Sequence, residues 1–384
     1  MVLFMRTGRG TAAEAIVAVS TSTGQVTARL PIGVADGRWS VFYAAATGAS
    51  KTTVTAYDPR SGASLRHVSL PGSFALPVIV AGGLPGGLAS DGHTLVLVDQ
   101  APATGSSRFA VVDTAFARPV RLVSLPGDFA FDALSPDARS LFLIEHLGGA
   151  GSGHYQVRLF DTASGVLVPG VIVDKRDIGE AMEGRPVARA TSAFGQTVYT
   201  LYVKTDGSAF VHELDTIAGL AQCVDMPAAA TATTAADVAA WRLGLWGSDP
   251  PYAVNGRLGI LVALNPGTVR ATVPIPTGST PGSVELAVSA DGAGLYLAAP
   301  GGVTAVSTTS FAPVGKVWPT PPLAGIAMPT DGRSLYGVLD SGTGLVQIAI
   351  SNPGAGSISS LAFADRLAQD QGAIDVLAIV AGDR

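Results

Sequence analysis

Ser135-Pro-Asp-Ala-Arg-Ser-Leu-Phe-Leu-Ile-Glu145 is a tight polar turn that runs straight into a short apolar strand. The same arrangement returns along the chain. Asp36-Gly37 precedes Trp39-Ser-Val-Phe-Tyr43, Asp91-Gly92 precedes Thr94-Leu-Val-Leu-Val98, and Phe194-Gly195 precedes Thr197-Val-Tyr-Thr-Leu-Tyr202. Asp291-Gly292 and Asp331-Gly332 precede Leu295-Tyr-Leu297 and Leu335-Tyr336, with a degenerate copy at Ser248-Asp-Pro250. Asp-Gly is a strong hairpin signal, because glycine accepts positive φ and the aspartate side chain bonds the nearby backbone. An aromatic stands at one fixed place after the turn, as Phe142, Tyr199, Tyr296 and Tyr336. Burying such a ring contributes about 4–6 kcal/mol gross, so a ring at a fixed repeat position is expected in a core between repeats.

A second turn recurs out of phase: Ser20-Thr-Ser-Thr-Gly24, Asp58-Pro-Arg-Ser-Gly62, Asp161-Thr-Ala-Ser-Gly165, Asp215-Thr-Ile-Ala-Gly219 and later, shorter copies. Each lies between two apolar strands. Four short strands in a period of roughly 40–50 residues describe a β-propeller blade. A unit therefore reads strand A, turn, strand B, variable loop, strand C, turn, strand D. The chain opens on a B strand, Val2-Leu-Phe-Met5, and ends on an orphan strand in 373–380. Pairing those two closes one mixed blade. The expected fold is all-β, a single propeller domain over 1–384 with eight four-stranded blades. The count drops to seven if Ile32-Gly-Val-Ala35 fails as an A strand.

Leu134-Ser-Pro-Asp-Ala-Arg-Ser-Leu-Phe142, Ser289-Ala-Asp-Gly-Ala-Gly-Leu-Tyr296 and Thr330-Asp-Gly-Arg-Ser-Leu-Tyr336 resemble the YVTN-type and WD-like repeats of bacterial β-propellers. The resemblance covers nearly the whole chain. It implies a fold and leaves function open, since such propellers serve as binding platforms, enzymes and scaffolds alike.

Composition narrows the classes. The 384 residues hold 47 Gly and 25 Pro, and only 14% are charged, against about 25% in ordinary domains. The net charge is −5, and no basic cluster offers a phosphate backbone its counter-charge, so nucleic acid is excluded as a partner. The long uncharged run from Val68 to Ser90 is broken by prolines and glycines, which excludes a spanning helix. The single Cys223 forms no disulfide within the chain and reads as a packed apolar thiol in an outer strand. The opening residues carry no signal peptide, yet they begin inside a strand. The expectation is an envelope or secreted protein, monomeric, whose export segment lies outside this sequence.

Strands A–B and C–D join by short turns at one end of each blade. The variable B–C loops lie at the other end, where such folds carry their sites. Three polar stretches gather there: Glu145-His-Leu-Gly-Gly-Ala-Gly-Ser-Gly-His154, Asp174 to Arg185 with seven charges in twelve residues, and Lys204-Thr-Asp206. The candidate binding residues are Glu145, His146, His154, Lys175, Arg176, Asp177, Glu183, Arg185 and Arg189. The competing reading is a solvated loop whose charges pair among themselves at ~0–1 kcal/mol each. Inner strands also carry Asp132, Arg189, Asp237, Arg242, Glu285 and Asp375. Asp132 and Arg189 sit at equivalent positions in adjacent units, so an ion pair between blades or a water-bridged channel lining is expected, with contact to a substrate as the alternative.

No nucleophile elbow, Walker loop, His-Glu-x-x-His or dinucleotide fingerprint is present, and Gly83-Leu-Pro-Gly-Gly87 has no helix behind it. No catalytic residue, cofactor or metal is assigned. The leading expectation is a non-catalytic, extracytoplasmic binding module that uses the long-loop rim of blades four and five for a protein or small-molecule partner. The alternative is a metal-assisted, lactonase-like hydrolase at the channel mouth, which requires at least three convergent carboxylate or imidazole ligands.

Overall fold

The computed structural model describes residues 1–148, 153–174, 182–275, 284–350, 356–364, 367 and 374–381. They form eight antiparallel sheets with the four-stranded order of propeller blades. Blade one is Val2–Thr7, Ala15–Ser20 and Val26–Leu30, completed by Asp375–Val380. Blade two is Val34–Ala35, Phe42–Thr47, Lys51–Tyr57 and Ser64–Pro71. Blade three is Phe74–Ala75, Thr94–Asp99, Ser106–Asp113 and Arg121–Pro126. Blade four is Phe129–Leu134, Ser140–His146, His154–Asp161 and Val166–Leu167, with Met182–Glu183 added beside the third strand. Blade five is Arg185–Thr191, Thr197–Val203, Ala209–Asp215 and Leu220–Asp225. Blade six is Trp241–Gly244, Tyr252–Asn255, Ile260–Asn265 and Thr268–Pro274. Blade seven is Glu285–Val288, Gly294–Ala299, Gly302–Ser307 and Pro313–Trp318. Blade eight is Leu323–Ala327, Ser334–Leu339, Gly344–Ala349 and Ile358–Ala362.

Two compact units divide this set. One comprises Met1–Pro31, Arg60–Gly62 and Met226–Arg384, the other Ile32–Pro59 and Ala63–Asp225. The first holds blades one, six, seven and eight; the second holds blades two to five.

The count is eight, not seven, because Val34–Ala35 does pair with Tyr43 and Phe42. Closure is as expected. Val2 opposes Val380 and Leu3 opposes Ile379 across an antiparallel ladder, so the C-terminal strand supplies the A strand that blade one lacks.

The recurrent turn owes its sequence to a small hydrogen-bond set. In blade four Ser135 Oγ donates to Asp137 Oδ1 at 2.8 Å and accepts from the Ser140 N–H at 2.9 Å. Blade seven repeats this with Ser289, Asp291 and Gly294 at 2.6 and 2.8 Å. The Arg139 backbone N–H, followed by the Ser135 hydroxyl, holds the Asp137 carboxyl below the usual range. Ala138 takes φ 57° where the other copies place Gly92, Gly292 or Gly332 at 64–75°. Its methyl is buried in the apolar cluster between blades three and four, which offsets the left-handed strain.

Three of the four fixed aromatics lie where expected, and the fourth, Tyr199, is buried. Phe142 packs among residues of blades four and five, Tyr296 among those of seven and eight, and Tyr336 among those of eight and one. Ile379 belongs to the last of these layers and is 8% exposed. The Ala-rich stretch before blade six forms one 3₁₀ turn, Ala228–Ala230, and a short helix, Ala235–Ala239. Thr234 and Asp237 cap that helix reciprocally, and Arg257 Nε donates to Asp237 Oδ1 at 3.0 Å.

Ile379→Ala is expected to destabilise the protein by about 2–5 kcal/mol, since it hollows a packed layer. Val317→Ala, at a position 53% exposed, should stay within about 0.5 kcal/mol; urea unfolding of the two variants tests the contrast. A second expectation concerns acid. Hydrogen bonds from Thr234 and Arg257 lower the Asp237 carboxyl from 3.8 to about 2. A depressed carboxylate stabilises above its unfolded pKa and loses that contribution as pH falls through the folded one. Asp237→Asn should therefore be less stable than wild type at pH 7, and the gap should close between about pH 4 and pH 2.

Candidate functional site

The charges on the first strands of neighbouring blades pair across the blade interface. Arg189 Nη1 donates to Asp132 Oδ1 at 2.9 Å and to Thr200 Oγ1 at 2.8 Å, and Nη2 donates to the Asp132 carbonyl at 2.6 Å. Arg242 clasps Glu285 with Nε and Nη2 at 3.0–3.2 Å between blades six and seven. On blade one, Asp375 lies 3.8 Å from Arg6 and 3.4 Å from Arg9.

The Asp132–Arg189 pair differs from the others in depth. The Asp132 side chain is 2% exposed and that of Arg189 17%. Both strands slip register at this height, between Phe131 and Ala133 and between Pro186 and Ala188. Asp132 is the extra residue of the first bulge. A bulge re-aims one side chain out of the alternation, which is how a carboxylate enters between Phe131, packed toward blade three, and Ala133, packed toward blade five. Asp132 Oδ1 is bonded to arginine, but Oδ2 is buried without a hydrogen-bond partner among the described residues. A buried carboxylate oxygen left unpaired carries a cost of several kcal/mol in desolvation.

A pocket of about 120 Å³ lies against this pair. Blade four contributes Phe131, Asp132 and Leu134 to its wall, and blade five Arg189, Gly195 and Val198. Blade three contributes Ile79, Gly86, Gly87 and Leu88. Its first strand is interrupted: Phe74–Ala75 pairs with Asp99 and Val98, then Leu88 resumes opposite Leu95. The intervening residues fold back, with the Gly86 N–H on the Pro77 carbonyl at 2.8 Å. Gly87 has φ 94°, and a Cβ there would stand 2.4 Å from the Val96 carbonyl oxygen. The run at 83–87 is a turn cluster, as expected, and it also forms a pocket wall. Around the pocket the A–B turns of three blades touch. Ser90 Oγ donates to the Phe194 carbonyl at 2.8 Å, and the Asp91 N–H to the Pro136 carbonyl at 3.3 Å.

From Arg189 a polar row crosses blade five. Arg189 opposes Thr200, Thr200 opposes His212, and His212 opposes Cys223. In-register partners share a face, here the one turned to blade four, where Tyr202 stacks on Tyr155 at 5.3 Å and on Phe210 at 5.2 Å. Burial pushes the His212 imidazole below its ordinary value, against the pull of Asp132. The ring is therefore neutral at pH 7. Burial likewise raises the Tyr202 hydroxyl.

The rim residues are placed as follows. Glu145 Oε2 accepts from Arg158 Nη1 and Gln156 Nε2, each at 2.6 Å, so its charge is used within its own sheet. His146 ends the second strand of blade four and His154 begins the third; both are exposed. His154 opposes Glu183 in register. Arg185 starts blade five, exposed. The structure thus brings His146, His154 and Glu183 to one sheet end and sends Arg189 to the buried pair. Lys175, Arg176 and Asp177 lie outside the described residues. The last strand of blade four does not run in one piece. Instead, the outer edge of blade four is rebuilt in pieces, Leu167 opposite Phe160, Ile172 opposite Val157 and Met182 opposite Tyr155. Asp174 bridges to Ala221 of blade five, and its Oδ2 accepts from the Cys223 N–H at 2.8 Å. Among the described residues, no three His, Cys, Asp or Glu side chains converge as a metal centre, and no helix is long and apolar enough to cross a membrane.

Comparison with known proteins bears on the fold. No protein-family model and no curated protein matches the chain. It is similar to the solved structure of apo AztD from Citrobacter koseri, at 12% identity over 98% of this chain and 97% of that one, with a TM-score of 0.56. It is also similar to the Dos1 propeller, at 9% identity over 95% and 88%, with a TM-score of 0.53. At these identities the likeness is one of architecture, an eight-bladed β-propeller here.

Removing the carboxylate should expose what the pair does for the fold. Asp132→Ala leaves a half-buried guanidinium without its partner and is expected to cost about 3–5 kcal/mol. Asp375→Ala, on a pair about one-third exposed on the acid side, should cost no more than about 1 kcal/mol; denaturant midpoints of both variants decide.

Proposed function

We propose that this protein is a non-catalytic binding module, and that the pocket beside Asp132 and Arg189 takes a small polar ligand. The observation that carries the reading is a pocket with mostly apolar lining whose wall includes Asp132 and Arg189, the first with a buried Oδ2 that has no hydrogen-bond donor among the described residues. Pockets of this kind orient a ligand by a few polar groups and hold it by apolar contact. The ligand class follows from the lining: beside apolar carbons it carries the Asp132 carboxylate and the hydroxyls of Ser90 and Thr191, which suit an amine, amidine or hydroxyl compound. Arg189 is already committed to Asp132 and Thr200, so it fixes the carboxylate rather than receiving an anion. Nothing in this set supplies an activated nucleophile, which favours binding over turnover.

A second partner surface is supported by a separate observation. His146, His154 and Glu183 stand together at the long-loop end of blade four, with Arg185 opening the next blade. That grouping suits a polar face on a protein partner.

A panel of small amines and polyols, screened by thermal unfolding, tests the pocket. A binder should raise Tm in proportion to RT ln(1 + [L]/Kd), about 2.7 kcal/mol at a hundredfold excess over Kd. Ile79→Trp should fill the space from the wall that blade three contributes and abolish the shift while leaving the ligand-free Tm near wild type. No shift with any compound, or a shift that survives Ile79→Trp, rejects the assignment.

A further inference from the structure

We propose that Cys223, His212 and Met182 form a binding site for one monovalent copper ion at the outer edge of the interface between blades four and five. The three donors come from three separate strands: Met182 from the rebuilt edge of blade four, His212 and Cys223 from the third and fourth strands of blade five. They meet at the cysteine sulfur. His212 Nδ1 lies 3.6 Å from Cys223 Sγ, and Met182 Sδ lies 3.9 Å from the same atom.

Those separations match the spacing of ligands around a shared ion. With metal–sulfur bonds of about 2.3 Å and metal–nitrogen bonds of about 2.0 Å, sulfur and nitrogen stand roughly 3.5–3.7 Å apart between tetrahedral and trigonal angles. Two sulfurs stand roughly 3.8–4.0 Å apart under the same conditions. The donor chemistry selects the ion. A thiolate and a thioether are soft, polarisable ligands that prefer monovalent copper, while carboxylate-poor sites of this kind suit calcium and magnesium badly. A monovalent ion also cancels the single thiolate charge, so the bound site adds no net charge to an apolar layer. The layer around the donors is hydrocarbon and aromatic, with Tyr155, Ile172, Phe210 and Ala221 packed in it, and such a shell keeps competing water away from the ion.

Support and access are both present. The Asp174 carboxylate accepts from the Cys223 N–H at 2.8 Å, which holds the backbone that presents the thiol. His212 is 2% exposed, whereas Cys223 and Met182 are only part-buried, so an ion can enter from the outer edge. Uptake exchanges the thiol proton for copper: the S–H bond breaks, the S–Cu bond forms, one proton leaves to solvent, and no electron is transferred.

The test is an anaerobic competition of the full chain against a chromophoric Cu(I) chelator, with ascorbate present. Wild type should withdraw one equivalent of copper per chain and release one proton. Cys223→Ala should withdraw none. Met182→Leu keeps the volume and the thiol; since loss of even an outer-shell partner weakens metal sites roughly 10–100-fold, its affinity should fall at least about tenfold with an unchanged Tm. X-ray absorption of the copper-loaded wild type should show sulfur near 2.3 Å and nitrogen near 2.0 Å. Failure of the wild type to compete, full uptake by either variant, or a copper shell without sulfur overturns the site. Each of these readouts is independent of whether the pocket beside Asp132 binds a ligand.

Discussion

A four-stranded sheet of this kind has two apolar faces and no means of covering either alone. Everything else in the structure depends on the layers that form where one blade meets the next. Leu141, Leu143 and Phe160 face Phe109 and Val96 of blade three, while Phe142, Val157 and Tyr155 face Val198, Tyr202 and Phe210 of blade five. Alternation along each strand sends successive side chains into opposite layers. A blade is thus inseparable from its neighbours, and stability is shared along the row rather than owned by any sheet. The C-terminal strand follows from the same requirement. Without Ile379 and Val376, the faces of Leu3, Met5 and Val338 would meet water.

Polar groups enter these layers only under tight conditions. The blade four–five interface admits more than the others described, in a row from Asp132 through Arg189, Thr200 and His212 to Cys223. Its inner end faces a pocket and holds an ion pair with one acceptor in surplus. Its outer end holds sulfur and imidazole donors, part-buried. In a medium of low dielectric each of these groups is costly unless matched, so their presence together marks this interface as one whose polar groups answer to one another as well as to the packing. The outer edge of blade four is also where strand pairing is interrupted.

Much of the architecture is legible in local sequence. Ser-x-Asp and Asp-Gly turns, a period of four short strands and a fixed aromatic each record a local physical demand: a hydroxyl to bond two backbone positions, a residue that accepts positive φ, a ring for the layer. The pairing of Asp132 with Arg189 was also readable, because equal offsets from equivalent turns put two charges at one height in neighbouring blades. The pocket was not. Its wall depends on an interrupted strand in blade three and a bulge at Asp132, and neither leaves a periodic mark. Nor was the meeting of Met182 with Cys223 and His212, which arises only because the edge of blade four resumes after an insertion.

The amino-acid sequence by itself determined the class of fold, the number of blades to within one, the closing strand and the equivalent heights of Asp132 and Arg189, since all of these follow from spacing along the chain and from what single residues can and cannot adopt. Only the tertiary structure decided that Val34–Ala35 completes blade two and brings the count to eight, that Glu145 spends its charge on Arg158 while one oxygen of Asp132 is bonded to Arg189, and that two sulfurs and an imidazole from separate strands converge. Such outcomes depend on register and on the packing of one sheet against another, and contacts between residues far apart in the chain carry no local signature.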